Sequence, residues 1–185
     1  MKTKLWTIQH REAYVRLCEN GIIYADEKHI LYPEIFRPSY EWMAREMEKR
    51  LNTSPSPSRL PVWAWHTWEG ERKRRDLRCS GYAKRGTPMV QIEFWAEEGS
   101  FLLSDFDYFH LVINGSYIAE DEEDREAFYR LPIKKREKKT EESWKKIFDL
   151  EKCKSFDPDF LQSIQATLWS ISLSDVTRVF PFTAK

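Results

Sequence analysis

The chain has 185 residues, enough for one domain with a sizeable core or, at a stretch, two small ones. Lysine plus arginine and aspartate plus glutamate both total 30, so the net charge is zero and any basic behaviour must be local. No apolar run approaches the roughly 20 residues that span a bilayer, and the early polar residues argue against a secretory signal. The cysteines sit apart, at Cys18, Cys79 and Cys153, which argues against a disulfide framework and a zinc cluster. We therefore expect a cytoplasmic globular protein.

Local patterns in the first fifty residues predict a strand, two helices and a short extended stretch. The first pieces are a strand at 4–9, a helix at 10–21 and the extended stretch at 22–26. Gly21 ends that helix because glycine tolerates the left-handed cap. A second helix is expected at 37–52, with Pro38 near its start and Ser39 as its cap.

The middle of the chain predicts a loop, two strands and a strand that feeds a helix. Residues 52–60 are rich in proline and serine and form the loop. The strand that follows places Val62, Ala64 and His66 on one face and Trp63, Trp65 and Thr67 on the other. A basic loop at 71–78 leads to a strand at 88–95. Residues 100–115 predict the strand and helix, with Ser104 as the candidate cap.

The last third of the chain begins with its most polar region. Acidic and basic runs make residues 119–150 a charged helical region. The tail at 164–182 predicts two strands separated by a turn at 173–175. Together these patterns predict one α+β domain over 1–185, whose mixed or antiparallel sheet combines N-terminal, central and C-terminal strands flanked by helices.

Tryptophan and arginine are concentrated in one short stretch of the sequence. The aromatic residues are Trp63, Trp65 and Trp68, and the arginines are Arg72, Arg74, Arg75 and Arg78. Arginine binds phosphate through two parallel hydrogen bonds, and aromatic faces stack on bases or on nicotinamide. The stretch therefore predicts a wall of a ligand site. The alternative is an ordinary solvated loop, in which neighbouring carboxylates pair with these charges.

A carboxylate and an imidazole lie three residues apart in the predicted central helix. Asp107 and His110 would share one face of that helix. Such a pair can ligate a metal or act as a base with its orienting partner, and His66 is the one attractive further ligand. The alternative is a helix cap with internal hydrogen bonds, and no metal site is predicted. The sequence also lacks the motifs of common dinucleotide, nucleoside-triphosphate and metalloprotease sites.

Several segments together resemble a bacterial family, domain of unknown function 3841. These are "LWTIQ", "YEWMAREM", "PVWAWHTWEG", "RRDLR", "LLSDFDYFH" and "IQATLW". The resemblance runs from residue 4 to about 182 and brings no activity with it.

A leading strand, a helix that ends at glycine and the stretch "IIYAD" are also similar to the entry of ADP-ribosyltransferase-like domains. That resemblance implies that Trp6, Gln9 and Arg11 border the nicotinamide end of NAD, with Arg11 on a phosphate. It places Gln165 and Thr167 on the late catalytic strand. Thr167 stands where that superfamily carries its glutamate, which would stabilise the developing oxocarbenium charge. The alternative for these residues is a structural role.

Three classes of function remain. The first is binding of a nucleotide-like ligand or nucleic acid in a pocket between the tryptophan-rich strand, the first strand and the helix of "SDFDYFH". The second is an ADP-ribosyltransferase-like enzyme that uses NAD. The third is a protein-interaction or inhibitory factor, whose partner would contact the charged helices. The first is our prediction, because the glutamate is missing.

Overall fold

The fold comes from a computed structural model, which describes residues 1–30, 32–78, 81–156 and 161–185, and only the backbone at 155 and 156. Cys79 lies outside the described residues. The strands are β1 (Lys2–His10), β2 (Ile22–Tyr24), β3 (Val62–Thr67), β4 (Pro88–Glu97), β5 (Phe101–Asp105), β6 (Ile164–Leu168), β7 (Ser170–Ser172) and β8 (Val176–Thr183). The α-helices are α1 (Arg11–Asn20), α2 (Pro33–Arg50), α3 (Phe106–Ile113), α4 (Glu122–Arg130), α5 (Ile133–Ser143) and α6 (Leu150–Phe156). Short 3-10 helices lie at Glu27–His29, Trp144–Phe148 and Leu173–Asp175.

Six strands form the main sheet, in the order β5-β6-β3-β1-β4-β8, and β2 and β7 form a separate pair. Every strand pairing within the described residues is antiparallel. The predicted α+β class is confirmed, as is a sheet built from N-terminal, central and C-terminal strands. Of the two kinds of sheet that the sequence left open, the antiparallel one is present.

The two faces of the main sheet pack against different layers. One face carries Leu5, Val62 and Ala64 and packs against apolar residues of α1 and the β2–β7 pair. The opposite face carries Trp6 and Trp65, which are cross-strand partners, together with Trp63. We call it the tryptophan face. Helices α2 and α3 and the 3-10 helix at Trp144–Phe148 cover it through a second apolar cluster. The alternation predicted for β3 thus separates two cores.

Two predicted helix starts are wrong. Helix α2 begins at Pro33, so Pro38 lies inside it, and the Ser39 hydroxyl donates to the Phe36 carbonyl instead of capping. Pro33 suits the first helical position because its missing N–H has no partner there in any case. The cap of α3 is Asp105, whose Oδ1 accepts from the backbone N–H of Asp107 and Tyr108 at 3.0 Å, whereas Ser104 belongs to β5.

The C-terminal tail forms three strands where two were predicted. Trp169 separates β6 from β7 and is buried in the cluster beneath the helices. The chain therefore leaves the main sheet at this residue, and β7 pairs with β2 instead. The predicted turn at residues 173–175 is the 3-10 helix before β8. No helix in the described part of the chain has the length and apolarity to cross a membrane.

Candidate ligand-binding cleft

A cleft of about 290 Å³ lies on the tryptophan face. Strands β1, β3 and β6 form its floor, helices α2 and α3 form one side, and the segment after β3 forms the other. Its lining residues include Ile8, Phe36, Tyr40, Trp63, Trp65, Arg75, Tyr82, Phe106, Phe109, His110 and Gln165. Five residues predicted to bind ligand or act in catalysis therefore meet here, namely Trp63, Trp65, Arg75, His110 and Gln165.

Aromatic rings make most of the cleft wall. The Trp63 ring centroid lies 5.2 Å from that of Tyr40 and 4.7 Å from that of Phe109. The Trp65 ring lies 4.9 Å from Phe106, edge to face. Such contacts fix the ring planes, since aromatic pairs favour tilted and edge-on geometries. The cleft therefore presents rigid flat surfaces.

Arg75 lies within an aromatic cluster at the edge of the cleft. Its guanidinium carbon is 5.0 Å from the ring centroid of Trp65, 4.4 Å from that of Trp68 and 4.9 Å from that of Tyr82. Its Nε is buried without a hydrogen-bond partner. Within the described residues no carboxylate forms a salt bridge with Arg75. This arginine therefore keeps hydrogen-bonding capacity beside the aromatic wall.

Arg72 has a structural position. Its guanidinium donates to the Lys4 carbonyl at 2.5 Å and to the His66 carbonyl, and it lies 5.4 Å from the Trp6 ring centroid. Burial lowers the pKa of Arg72. The side chain therefore joins the basic loop to β1 and β3.

The other cations of the basic loop also contact their own neighbourhood. Arg74 lies 4.2 Å from the Phe180 ring centroid, and Lys73 lies within 3.6 Å of two loop glutamates. Arg78 pairs with the Asp76 carboxylate at 2.7 Å, and its hydrogen bonds lower the pKa of Asp76 to about 2. The loop thus resembles the solvated, self-paired alternative more than an open basic stripe.

Buried polar atoms without a partner are concentrated around the cleft. Three belong to lining residues: Trp63 Nε1, Arg75 Nε and Gln165 Oε1. Two more belong to cross-strand neighbours of lining residues. Ser104, with Oγ unpartnered, pairs with Gln165, and Gln91, with Oε1 unpartnered, pairs with Ile8. In the described part of the chain the sixth such atom, Trp169 Nε1, lies in the helix-covered cluster. Five of six therefore lie on the tryptophan face or on the loop that contacts it.

Four further predicted site residues also fall outside the cleft lining. Trp6 is buried and donates from Nε1 to Glu93 at 3.1 Å. Thr167 has no exposed surface and donates to the carbonyl of a β5 residue at 3.3 Å. Arg11 is exposed at the start of α1 and lines a separate depression. Gln9 borders the second cavity described below.

Of the predicted Asp107–His110 pair, only His110 lines the cleft. Its Nδ1 lies 3.0 Å from the Phe106 carbonyl, whereas Asp107 is exposed outside the cleft. Although the residue as a whole is exposed, partial desolvation of its carboxyl group, followed by the neighbouring Asp105, raises the pKa of Asp107. Burial and then a nearby arginine lower the pKa of His66 to about 4. No group of three or more His, Cys, Asp or Glu in the described ranges is placed to hold a metal.

A second cavity of about 240 Å³ adjoins the cleft. The two share five lining residues, Ile8, Phe36, Tyr40, Trp63 and Tyr82. The second cavity also holds Gln9, His10, Arg16, Asp26 and His29. Gln9 donates from Nε2 to the Thr7 hydroxyl at 2.8 Å. The cleft and the cavity are therefore adjacent.

Sequence reasoning missed several lining residues of this region. Tyr40 comes from α2, to which the prediction assigned no site residue, and burial raises its pKa. Tyr82 follows the basic loop with no periodic pattern to mark it. His10 and His29 are separated by a helix and a strand, so their contact had no local signal. Phe106 and Phe109 lie within the 104–110 segment that the prediction had placed beside the pocket.

The family comparison covers nearly all of this architecture. The model described as "Domain of unknown function (DUF3841)" matches residues 4–177. The chain belongs to the DUF3841 family. No curated protein and no solved structure matches this DUF3841 chain. The likeness to ADP-ribosyltransferase-like domains stays a prediction, and the family description names no activity, so function must be argued from the cleft.

Proposed function

We propose that this DUF3841 domain binds a nucleotide-like ligand, with the ligand's flat ring in the cleft on the tryptophan face. The observation that carries the proposal is the concentration of unpartnered buried polar atoms beside aromatic walls. A buried donor or acceptor that lacks a partner costs about 1–3 kcal/mol of stability. A ligand that supplies the missing hydrogen bonds removes this cost.

The chemistry of the three lining atoms favours a heterocycle. Trp63 Nε1 and Arg75 Nε are donors, and Gln165 Oε1 is an acceptor. A ligand that satisfies all three must present acceptors for the two donors and an N–H or O–H donor for the glutamine oxygen. Nucleobases do so, and their faces also stack on aromatic rings for about 1–3 kcal/mol per base.

The size and charge of the site favour a small ligand over a nucleic acid strand. Known ligand pockets span roughly 300–1,000 Å³, so a cleft of about 290 Å³ suits one ring system. Strand binding usually needs a groove of cations that follows the phosphate backbone. Here Arg72 and Arg78 are engaged within the protein. Nucleic acid binding is therefore the second candidate.

No specific observation favours the enzyme class or the protein-interaction class. An ADP-ribosyltransferase-like reaction with NAD would combine Gln165 with Thr167 and Arg11, but only Gln165 lines the cleft. A protein-interaction role would use α4 and α5, where several charges form pairs such as Arg130 with Glu126. Both stay predictions.

Thermal unfolding with a ligand panel tests the proposal. The panel contains nucleobases, nucleosides, nucleotides, NAD, ADP-ribose and a short single-stranded DNA. A ligand at 100 times its dissociation constant adds about 2.7 kcal/mol, which is roughly 5–11 °C for a domain of this size. We expect at least one nucleoside or nucleotide to give such a shift.

Paired variants connect the shift to the cleft. Trp63→Phe keeps a ring but removes the indole donor, and Arg75→Lys keeps the charge but removes Nε as a donor in its present place. Each should weaken binding about tenfold, the value of one hydrogen bond. The matched controls are the exposed Trp95→Phe and Arg85→Lys, each compared with its own unliganded protein. A panel without any nucleoside or nucleotide shift contradicts the proposal, and a shift with DNA alone favours a strand-binding site.

A further inference from the structure

The second cavity contains a pair of stacked imidazoles. The ring centroids of His10 and His29 are 4.3 Å apart, with 24° between their planes. His10 ends β1 and His29 ends a 3-10 helix, so two separate elements bring them together. Both line the cavity of about 240 Å³ that shares walls with the cleft. Neither side chain takes part in the cleft described above.

The charges around this pair are nearly balanced. Arg16 lines the cavity, and its Nη2 lies 3.4 Å from the Asp26 carboxylate, which also lines it. Burial, then His29, lowers the pKa of His10, while Glu12 opposes this and Arg16 adds to it. In the free protein these surroundings therefore favour the neutral form of His10. Two protonated rings at this separation would repel each other unless an anion lay beside them.

We infer that this cavity takes the anionic group of the ligand whose ring occupies the cleft, so that the ligand is a nucleotide and not a nucleoside. The inference rests on the proposed function. The five shared wall residues make the two spaces adjacent, as the ring and phosphate of one nucleotide require. Two imidazoles and the Arg16 guanidinium line the cavity. Among the described residues, Asp26 is its one lining carboxylate.

Proton uptake accompanies binding at this cavity. A bound anion favours the protonated imidazole, so the pKa of His10 is higher in the complex than in the free protein. Affinity then rises as the pH falls from the pKa of the complex to that of the free protein. Linkage limits the rise to about tenfold per pH unit for each proton taken up.

Titration calorimetry at pH 6 and pH 8 tests the inference. The probes are adenosine, guanosine, cytidine and uridine, each beside its 5′-(methyl phosphate) ester. The ester keeps one charge across this range, whereas an ordinary phosphate monoester itself titrates near pH 6. At pH 6 we expect the ester to bind about tenfold more tightly than its own parent nucleoside. At pH 8 this difference in affinity should be smaller. Buffers of different ionisation enthalpy should report proton uptake.

Two matched substitutions identify the groups responsible. His29→Gln should remove most of the ester's advantage and leave the affinity for the nucleoside unchanged. The control is His66→Gln, because His66 lies outside both spaces and bonds Thr67. That variant should retain the advantage and its pH dependence.

The outcomes separate this inference from the proposed function. If nucleoside and ester bind equally at both pH values while Trp63→Phe weakens both, the inference is wrong and the cleft still binds a base. The inference is also wrong if the ester's higher affinity does not change with pH or in His29→Gln but is lost in Arg75→Lys. The anion would then lie at Arg75. If no nucleoside and no ester binds, both proposals are wrong.

Discussion

Residues of the same type have different structural roles in this protein. Trp6 and Trp63 stand on neighbouring strands of the same face, yet Trp6 donates to Glu93 and Trp63 keeps an unpartnered donor beside the cleft. Arg72 donates to backbone carbonyls, whereas Arg75 lies among aromatic rings. The difference lies in the partners that the fold supplies. Substitutions therefore have to be judged by partner and not by residue type.

Glu93 provides a pH-dependent test at the level of one residue. Its carboxylate accepts from Trp6 at 3.1 Å and from Thr177 at 2.9 Å, and Lys4 lies at 3.3 Å. Burial opposes ionisation, but these hydrogen bonds outweigh it and lower the pKa of Glu93. The stabilisation is present above the ordinary pKa and is lost as the pH falls through the lowered one.

Glu93→Gln should therefore lower the free energy of unfolding by about 1–2 kcal/mol at pH 7. The difference should shrink below pH 4.5, the ordinary value. Urea unfolding across this pH range measures it. The control is Glu97→Gln on the same strand, because Glu97 is exposed and lies 3.6 Å from Lys2. An equal effect of the two substitutions would contradict the role given to Glu93.

At the level of elements, the β5–α3 junction positions one side of the cleft. Asp105 Oδ1 caps α3, and Oδ2 accepts from Gln162 Nε2 at 2.9 Å. The same helix places Phe109 and His110 in the cleft wall. One carboxylate therefore joins the start of the helix to the segment that precedes β6.

Asp105→Ala should destabilise the protein by about 2 kcal/mol, because it removes a cap and leaves buried donors unpaired. Asp105→Asn keeps an acceptor and should cost less. The matched control is Asp121→Ala, which removes the exposed cap of α4 and should cost about 1 kcal/mol. Thermal unfolding compares the three, and equal losses at the two caps would count against a wider role for Asp105.

On the scale of the whole molecule, the main sheet combines distant parts of the chain. The first strand, β1, lies in the interior beside β3 and β4, and the last, β8, pairs with β4 at an edge. The main sheet is therefore complete only when both ends of the chain are in place. Long-range pairing of this kind couples the strands into one cooperative unit.

Unfolding should therefore be a single transition, as a single domain over 1–185 predicts. Urea titrations followed by tryptophan fluorescence and by far-ultraviolet circular dichroism should give the same midpoint. Tryptophans lie on the main sheet and in the helix cluster, so the fluorescence reports on both. Two separated transitions would divide the domain and contradict this prediction.

The sequence by itself determined the α+β class, most strands and helices, and the two faces of β3, because these follow from periodicities within a few residues. It also drew attention to Trp63, Trp65, Arg75, His110 and Gln165 as chemically capable groups. Only the tertiary structure decided the strand order, the internal engagement of Arg72 and Arg78, and the stacking of His10 on His29. Those features depend on contacts between residues far apart in the chain, and no local pattern records such contacts.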